Sequence, residues 1–201
     1  MLALGFSYWS DPRIHNLGNV GVGGAVHAAL APLSTHIIDC VAYKGDDLRA
    51  RVRREHIPPG TRTVDLCCGV GFSTQNIGVD TSEQMLSVAR PIHGRKEFHL
   101  GNAETWGDTD AFDTSTCMFA FHEMPRRARR CVLRNMLRIA PVELVVDIAP
   151  DYVPSDTMLS GEPYVHEYLE NMDEDAREFN GALRVLVPGH AVLWRFERVE
   201  K

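Results

Sequence analysis

The feature that most constrains the fold is a short apolar segment, residues 61–67, that runs directly into a glycine-rich turn. Gly69 and Gly71 in this turn allow the backbone to approach a ligand where a Cβ atom would clash. Free backbone amides at the start of a following helix suit a carboxylate or a phosphate group. The pattern favours a ligand site at the carboxyl end of a buried strand, and the alternative is a tight structural turn.

Apolar segments alternate with helical patterns over the rest of the chain. Strands are predicted at residues 61–67, 77–80, 97–100, 113–119, 142–148, 183–187 and 191–199. The last two strands are joined by only three residues, so they must run antiparallel to each other. We therefore predict an α/β fold, a Rossmann-like mainly parallel sheet with helices on both faces and an antiparallel C-terminal hairpin strand.

The first 60 residues differ from this pattern. An irregular arm precedes a helical segment at residues 24–43, which Pro32 should bend or interrupt, and a short charged helix follows at residues 46–56. We expect residues 1–60 to form an N-terminal arm and helices that cover the substrate, and residues 61–201 to form the core domain.

An acidic residue, Asp80, ends the second predicted strand, where it is placed to accept hydrogen bonds from a ribose diol. A dinucleotide-binding turn would carry a third glycine at position 74, which is threonine here. A nucleotide-dependent oxidoreductase is therefore the less favoured interpretation.

Five segments taken in order resemble the motifs of class I S-adenosylmethionine-dependent methyltransferases, and among them most nearly the small-molecule group that includes the ubiquinone/menaquinone methyltransferases. The segments are VDLCCGVG, GVDTSEQMLSVA, GNAE, AFDTSTCMFAFHEMP and LVVDIAP. The resemblance spans about residues 61–150. It implies an enzyme that uses S-adenosyl-L-methionine as its cofactor and a small-molecule methyl acceptor as its partner.

The resemblance also implies roles for nine residues in cofactor binding. They are Asp65, Gly69 and Gly71 for the methionine part, Asp80 for the ribose hydroxyls, Thr81 and Met85 beside the adenine, Asn102 and Ala103 at the adenine edge, and Phe119 near the methionine amino group. The family usually has aspartate in place of Asn102, whose amide oxygen can still accept the same hydrogen bond.

Methyl transfer is an in-line attack on an activated methyl group, so alignment of the acceptor can supply most of the catalysis. A base is needed only when the acceptor must lose a proton. His122 and Glu123 follow the fourth predicted strand at the carboxyl edge of the sheet, and they are the first candidates. The alternative for His122 is a loop histidine that caps the next helix. The acceptor atom could be O, N, C or S.

Two further segments could close over the acceptor. Tyr8 and His15 in the arm are the next catalytic candidates, and the alternative is a packed aromatic lid without chemistry. Residues 158–164 form a second candidate lid, with Glu162 and Tyr164 facing the substrate, against the alternative of an ordinary loop.

The connection between the first two strands is unusually short. About nine residues, 67–75, leave room for one helical turn, whereas a parallel crossover normally contains a full helix. The exposed sheet face could be covered by the N-terminal helix. A catalytically impaired cofactor-binding or regulatory protein on the same fold is therefore the alternative function.

Composition narrows the remaining possibilities. The net charge of −6 disfavours a nucleic-acid partner, so the arginine run at residues 126–138 is interpreted as a solvated helix face. Five cysteines without a Cys-x-x-Cys pair predict reduced thiols in a cytoplasmic protein, with neither disulfides nor a metal site. No stretch approaches an uninterrupted membrane span of about 18 apolar residues, and no signal peptide is recognised.

Overall fold

The computed structural model describes residues 7–198. Its strands are β1 (Thr63–Leu66), β2 (Ile77–Asp80), β3 (Glu97–Leu100), β4 (Thr114–Met118), β5 (Val142–Ile148), β6 (Ala182–Val187) and β7 (Ala191–Glu197). Its α-helices are α1 (Gly21–Ala42), α2 (Leu48–His56), α3 (Glu83–Ile92), α4 (Arg126–Ile139), α5 (Asp156–Gly161) and α6 (Val165–Glu178). Short 3₁₀ turns occur at Tyr8–Ser10, Ile14–Asn16 and Phe121–Glu123.

The strands form one seven-stranded sheet in the order β3-β2-β1-β4-β5-β7-β6. The first five strands in this order are parallel, and β7 runs antiparallel to both β5 and β6. This arrangement confirms the predicted fold class, including the reversed strand of the C-terminal hairpin. The carboxyl ends of β1, β2 and β4 consequently meet at one edge of the sheet, where ligands bind in open α/β sheets.

The sequence predicted most element boundaries to within a few residues, with two differences. α5 lies in a segment that was interpreted only as a lid, because six residues give too little periodicity to identify a helix. α1 runs through Pro32 without interruption, since loss of one backbone hydrogen bond leaves the turns on either side intact.

The crossover between β1 and β2 contains turns and bends but no helix over residues 67–76. Its shape is held by Asp65, whose buried carboxylate accepts hydrogen bonds from Ser73 at 2.7 Å, Thr74 at 2.9 Å and Thr116 at 2.7 Å. Burial raises the pKa of Asp65, and the three hydroxyl donors oppose that rise. Side-chain hydrogen bonds therefore replace the backbone hydrogen bonds that a crossover helix would have supplied.

α1 takes over part of the covering role that the missing crossover helix would have had. Its buried Ala28 packs with Val70 of the crossover and Met85 of α3, and Phe72 packs against the same cluster. The sequence-based expectation that the N-terminal helix lies over this region therefore agrees with the contacts.

The outer face of α1 is apolar and exposed. Within residues 7–198, α1 is the one helix long and apolar enough to cross a membrane, with a mean hydropathy of 1.3 over its best window, of which 11% is buried. Val22 and Val41 are 84% and 79% exposed. This corrects the expectation that no segment approaches a membrane span. That expectation looked for an uninterrupted apolar run, whereas α1 is apolar on average although histidine, serine and threonine interrupt it. Signal sequences and core helices of soluble proteins share this composition.

The arginine run of α4 is only partly a solvated face, which corrects the sequence interpretation: Arg127 and Arg134 are exposed, but the others are not. Arg126 and Arg130 form ion pairs with the buried Asp175 of α6 at 2.9 and 2.7 Å. Arg129 is completely buried and donates to the carbonyl oxygen of Met124 at 2.8 Å. Arg126 and Arg130 and the apolar residues therefore lie on different faces of α4. The two arginines form ion pairs with α6, and the apolar residues pack on the sheet.

Candidate active site

A cleft of about 190 Å³ lies at the carboxyl edge of β1, β2 and β4. Its walls come from the strand ends, from the N-terminal arm, and from α1 and α2. Of the thirteen predicted site residues, ten line the cleft. They are Tyr8, His15, Gly69, Asp80, Thr81, Met85, Asn102, Ala103, Phe119 and Glu123.

Three residues at the floor of the cleft have left-handed backbone conformations. Cys67 has a φ of 57° and directly follows β1, and Phe119 has a φ of 59° and directly follows β4. Residues other than glycine rarely adopt this conformation, and such strain concentrates at ligand sites. Gly69 has a φ of 52°, and a Cβ atom built there would meet nothing within 4 Å. The absence of a side chain at Gly69 therefore leaves space for a ligand at the floor of the cleft.

Asp80 is fixed at the wall of the cleft by its neighbours. Its two carboxylate oxygens accept the backbone N–H groups of Gly69 and Ser82, each at 2.8 Å. Burial raises its pKa to about 6, although these two hydrogen bonds favour the charged form. Each oxygen keeps a second lone pair, so the carboxylate can accept a pair of ligand hydroxyls.

The predicted adenine side of the site is assembled from two segments. Thr81 and Met85 line the cleft from the start of α3, and Asn102 and Ala103 line it from the loop after β3. The amide oxygen of Asn102 accepts the backbone N–H of Glu104 at 2.9 Å, which fixes the side chain's orientation. These residues therefore line the same cleft as Asp80.

Two predicted cofactor residues, Asp65 and Gly71, do not line the cleft. Asp65 is buried, and it accepts hydrogen bonds from Ser73 and Thr74 of the crossover and from Thr116 of β4. A Cβ atom at Gly71 would lie 2.7 Å from Phe98 and 2.9 Å from His93, so this glycine faces protein side chains. Their contacts account for both residues without a ligand, because the short crossover turns this part of the loop inward.

Arg49 lines the cleft and was missed by the sequence analysis. Its guanidinium lies 4.4 Å from the centre of the Phe119 ring and 3.4 Å from the Asp39 carboxylate. Burial lowers its pKa, and Asp39 opposes that effect. Arg49 is one of four arginines in α2, and nothing in their spacing distinguishes it from the others.

His122, the first catalytic candidate, does not line the cleft. It is buried, and its Nδ1 atom lies 2.5 Å from the Asp147 carboxylate. Burial lowers the pKa of His122, but the charge of Asp147 and its hydrogen bond outweigh this and raise it to about 9. The same carboxylate accepts the backbone N–H of Phe121 at 2.8 Å. The geometry thus fits a group that positions the loop after β4, including its neighbour Glu123.

The arm contributes two aromatic side chains to the cleft. Tyr8 and Trp9 pack edge to face with ring centroids 5.0 Å apart. Burial raises the pKa of the Tyr8 phenol far above its ordinary value, and the nearby Cys67 and Glu104 raise it further. Tyr8 is therefore a neutral hydrogen-bond donor and a packing surface at physiological pH, and it cannot act there as a phenolate base.

His15 links the arm to both sides of the cleft mouth. Its Nε2 atom lies 3.1 Å from Glu123 Oε1, and its Nδ1 atom lies 2.8 Å from Glu162 Oε1. Burial lowers the pKa of His15, but the two carboxylates outweigh it and raise the pKa to about 11. Glu162 of the candidate lid at residues 158–164 therefore contacts the arm beside Glu123, but neither Glu162 nor Tyr164 lines the cleft.

Comparisons with known proteins agree with this geometry. A family described as a methyltransferase domain matches residues 59–141. No curated protein matches the chain. The fold resembles a TehB-like SAM-dependent methyltransferase from Corynebacterium glutamicum, with 16% identity, a TM-score of 0.60, and coverage of 87% of this chain and 99% of that one. It also resembles a SAM-dependent methyltransferase from Aquifex aeolicus, with 16% identity, a TM-score of 0.57, and coverage of 76% and 90%.

The fold and the matched domain agree with the class that the sequence resembles. It carries the Rossmann-like α/β fold of the class I S-adenosylmethionine-dependent methyltransferases. The matched domain supports an enzyme of methyl transfer that uses S-adenosylmethionine as its cofactor. The residues of the cleft fit that cofactor, because Gly69 leaves space at the floor and the fixed Asp80 carboxylate has free lone pairs.

Proposed function

We propose that this chain methylates a small, partly apolar metabolite, as its resemblance to the ubiquinone/menaquinone group suggests. The observation that carries the proposal is that one cleft contains both the cofactor wall around Asp80 and the aromatic arm with Tyr8 and Trp9. An apolar acceptor would pack against these rings while its polar group meets Glu123 at the mouth. The arm covers the acceptor and excludes water from the transfer.

Bound S-adenosylmethionine supplies a methyl group activated by a sulfonium centre. Asp80 would accept hydrogen bonds from the ribose hydroxyls, and Asn102 with Ala103 would contact the adenine edge. We further propose that Arg49 binds the methionine carboxylate, because it is the arginine that lines the cleft among the described residues. An arginine can form two parallel hydrogen bonds with a carboxylate.

The residues near the acceptor favour alignment over proton removal. His15 is charged at neutral pH and cannot act as a base while both carboxylates flank it. Burial raises the pKa of Glu123, but His15 outweighs that effect and keeps the carboxylate ionised. Glu123 is therefore an ionised carboxylate at the cleft that can bind a polar group of the acceptor.

One observation favours the alternative of an impaired cofactor-binding protein. The crossover at residues 67–76 has no helix, so fewer ordered backbone amides converge on the cofactor than in a full strand–helix connection. Both the enzyme and the impaired protein would bind the cofactor, but only the enzyme would transfer the methyl group.

The experiment that tests the proposal combines calorimetry with a product assay. S-adenosylhomocysteine should bind with one site per chain, and methyl from labelled S-adenosylmethionine should appear on members of a panel of quinols, phenols and amines. Binding without transfer to any member would favour the impaired protein. Absence of S-adenosylhomocysteine binding would contradict both the methyltransferase and the impaired cofactor-binding protein.

A further inference from the structure

Three side chains from separate parts of the chain converge at the mouth of the cleft. His15 comes from the arm, Glu123 from the loop after β4, and Glu162 from the residue that follows α5. We propose that His15, Glu123 and Glu162 form a binding site for a divalent transition-metal ion. This site goes beyond the proposed methyl transfer, and it revises the sequence-based expectation that the chain has no metal site.

The spacing of the candidate ligand atoms suits a shared ion. One nitrogen of His15 and one oxygen from each carboxylate all lie within 4.8 Å of one another. Ligands at about 2.0–2.2 Å from a metal lie roughly 3–4.4 Å apart around it. His15 contacts Glu162 through Nδ1 at 2.8 Å and Glu123 through Nε2 at 3.1 Å, so the two contacts use different ring nitrogens. One ion binds a single ring nitrogen, so the carboxylate on the other side of the ring must rotate to bring all three ligand atoms to the same ion.

Glu162 supplies an independent reason to expect a cation. Only 6% of this residue is exposed, and its Oε2 atom is buried without a hydrogen-bond partner among the described residues. Its other oxygen contacts His15 at 2.8 Å, so the carboxylate points into the cluster. A buried carboxylate oxygen without a partner is costly, and a bound ion would satisfy it.

The backbone holds the three ligands in place before any ion binds. His15 has a φ of 51° and Asn16 a φ of 58°, both in the strained left-handed region. A Cβ atom at Gly161 would lie 3.3 Å from the His15 Cα atom and 3.1 Å from the Asn16 amide nitrogen. The glycine lets the end of α5 pack closely on the arm, which brings the next residue, Glu162, to His15.

The donor set indicates the kind of ion. One imidazole nitrogen and two carboxylate oxygens, without a thiolate, suit Mn²⁺, Fe²⁺ or Zn²⁺. The ion would bind one ring nitrogen of His15 in place of the proton on that nitrogen, and the other nitrogen would keep its proton. Three protein ligands leave coordination positions open towards the cleft, which His15 and Glu123 line. If the proposed methyl transfer is correct, the open position faces the acceptor, and an acceptor with a hydroxyl group would be bound there.

Direct metal titration tests the site without relying on activity. Tag-free protein is stripped with a chelator and titrated with Mn²⁺, with free ion followed by electron paramagnetic resonance, and with Zn²⁺ by calorimetry. We expect one site per chain for at least one of the ions. Glu162→Gln should weaken its binding at least tenfold, and so should Glu123→Gln. Glu104→Gln, which removes a carboxylate near the same arm but outside the cluster, should leave the affinity unchanged.

Two controls keep the result interpretable. Thermal unfolding identifies any variant that does not fold, and His15→Asn then serves as the third ligand variant. S-adenosylhomocysteine titration of the same samples reports the cofactor site separately, so the failure of one proposal is distinguished from the failure of the other. The metal proposal is wrong if neither ion binds the wild-type protein, or if binding survives in both glutamine variants. The cluster would then only form ion pairs that hold the arm against the cleft.

Discussion

Asp80 accepts the backbone N–H of Gly69 at 2.8 Å, so the acid at the end of β2 is tied to the glycine turn at the end of β1. A second hydrogen bond from Ser82, also at 2.8 Å, fixes the other carboxylate oxygen. The two ends of neighbouring strands therefore act as one unit that holds the carboxylate in the cleft. Changes at Asp80 should consequently affect both the turn and the ligand.

Replacing Asp80 with asparagine should weaken S-adenosylhomocysteine binding. The amide presents one acceptor oxygen, and it loses the charge that strengthens hydrogen bonds from the ribose hydroxyls. Hydrogen bonds to charged groups contribute about 1.5–3 kcal/mol, which corresponds to roughly a 10- to 150-fold loss of affinity. Calorimetry measures the loss, with Asp108→Asn at an exposed position as the matched control. Unchanged affinity in Asp80→Asn would remove this residue from the site.

Cofactor binding should also depend on pH through Asp80. Its pKa is raised to about 6 by burial, so the carboxylate becomes protonated as the pH falls through that value. Because the charged form accepts hydroxyl donors better, affinity should fall below about pH 6 and level off above it. Titrations from pH 5 to 7.5 check this, and Asp80→Asn should show a flatter profile. An equal pH dependence in the variant would assign the effect to another group.

The two glycines of the turn should respond differently to substitution by alanine. Gly71 has a φ of 83°, and an added Cβ atom would collide with Phe98 and His93, so Gly71→Ala should lower the free energy of unfolding by about 1–3 kcal/mol. In Gly69→Ala the added Cβ atom meets no neighbouring atom, so the substitution should cost only about 1–2 kcal/mol of backbone strain. The added methyl group should narrow the cleft and weaken cofactor binding.

Denaturant unfolding and calorimetry on both glycine variants separate these effects. The structure thus changes the expectation from sequence alone, which placed a ligand next to Gly71. Strong loss of cofactor binding in a stable Gly71→Ala protein would restore that first interpretation.

Arg49 should discriminate between ligands with and without a carboxylate. Arg49→Met keeps much of the packing against Phe119 but removes the charge from the cleft. We expect affinity for S-adenosylhomocysteine to fall about tenfold or more, as for loss of a charge-assisted hydrogen bond. Affinity for methylthioadenosine, which lacks the carboxylate, should change little. Arg54→Met, at an exposed position of the same helix, is the control. Equal losses for both ligands would mean that Arg49 only shapes the cleft.

The pair of His122 and Asp147 should make stability depend on pH. The pKa of His122 in the folded protein is about 9, above its ordinary value of 6.5, so the protonated form stabilises the fold. This contribution is fully present below pH 6.5 and is lost as the pH rises through 9. The difference corresponds to up to about 3 kcal/mol. Denaturant unfolding of wild type and His122→Gln at pH 6.5 and 9.5 measures it. If the variant loses as much stability between pH 6.5 and 9.5 as the wild type does, the pair of His122 and Asp147 does not contribute to the pH dependence of stability.

The sequence predicted the sheet because its strands are short apolar runs separated by clear turn signals. Asp80 and Asn102 could be placed in the cleft from the order of their motifs, since parallel strand ends share one edge. Arg49 could not, because its burial depends on how α2 packs against Phe119. Gly71 was misplaced since the sequence shows that the crossover is short but does not show which way it turns.

The N-terminal arm shows the same limit of sequence reasoning. Tyr8 and His15 were recognised as candidates from their residue types, and both line the cleft. Their partners lie far along the chain: His15 contacts Glu123 and Glu162. Contacts across more than 100 residues depend on tertiary packing, which local patterns do not encode.

Calorimetric titration with S-adenosylhomocysteine tests the central claim most directly, with thermal unfolding of the same samples as a second reading. The account predicts saturable binding with one site per chain and a raised Tm, because a ligand that binds only the folded state stabilises it by mass action. Both effects should be reduced in Asp80→Asn. No heat of binding together with no change in Tm at millimolar ligand would contradict the assignment of the cleft as an S-adenosylmethionine site.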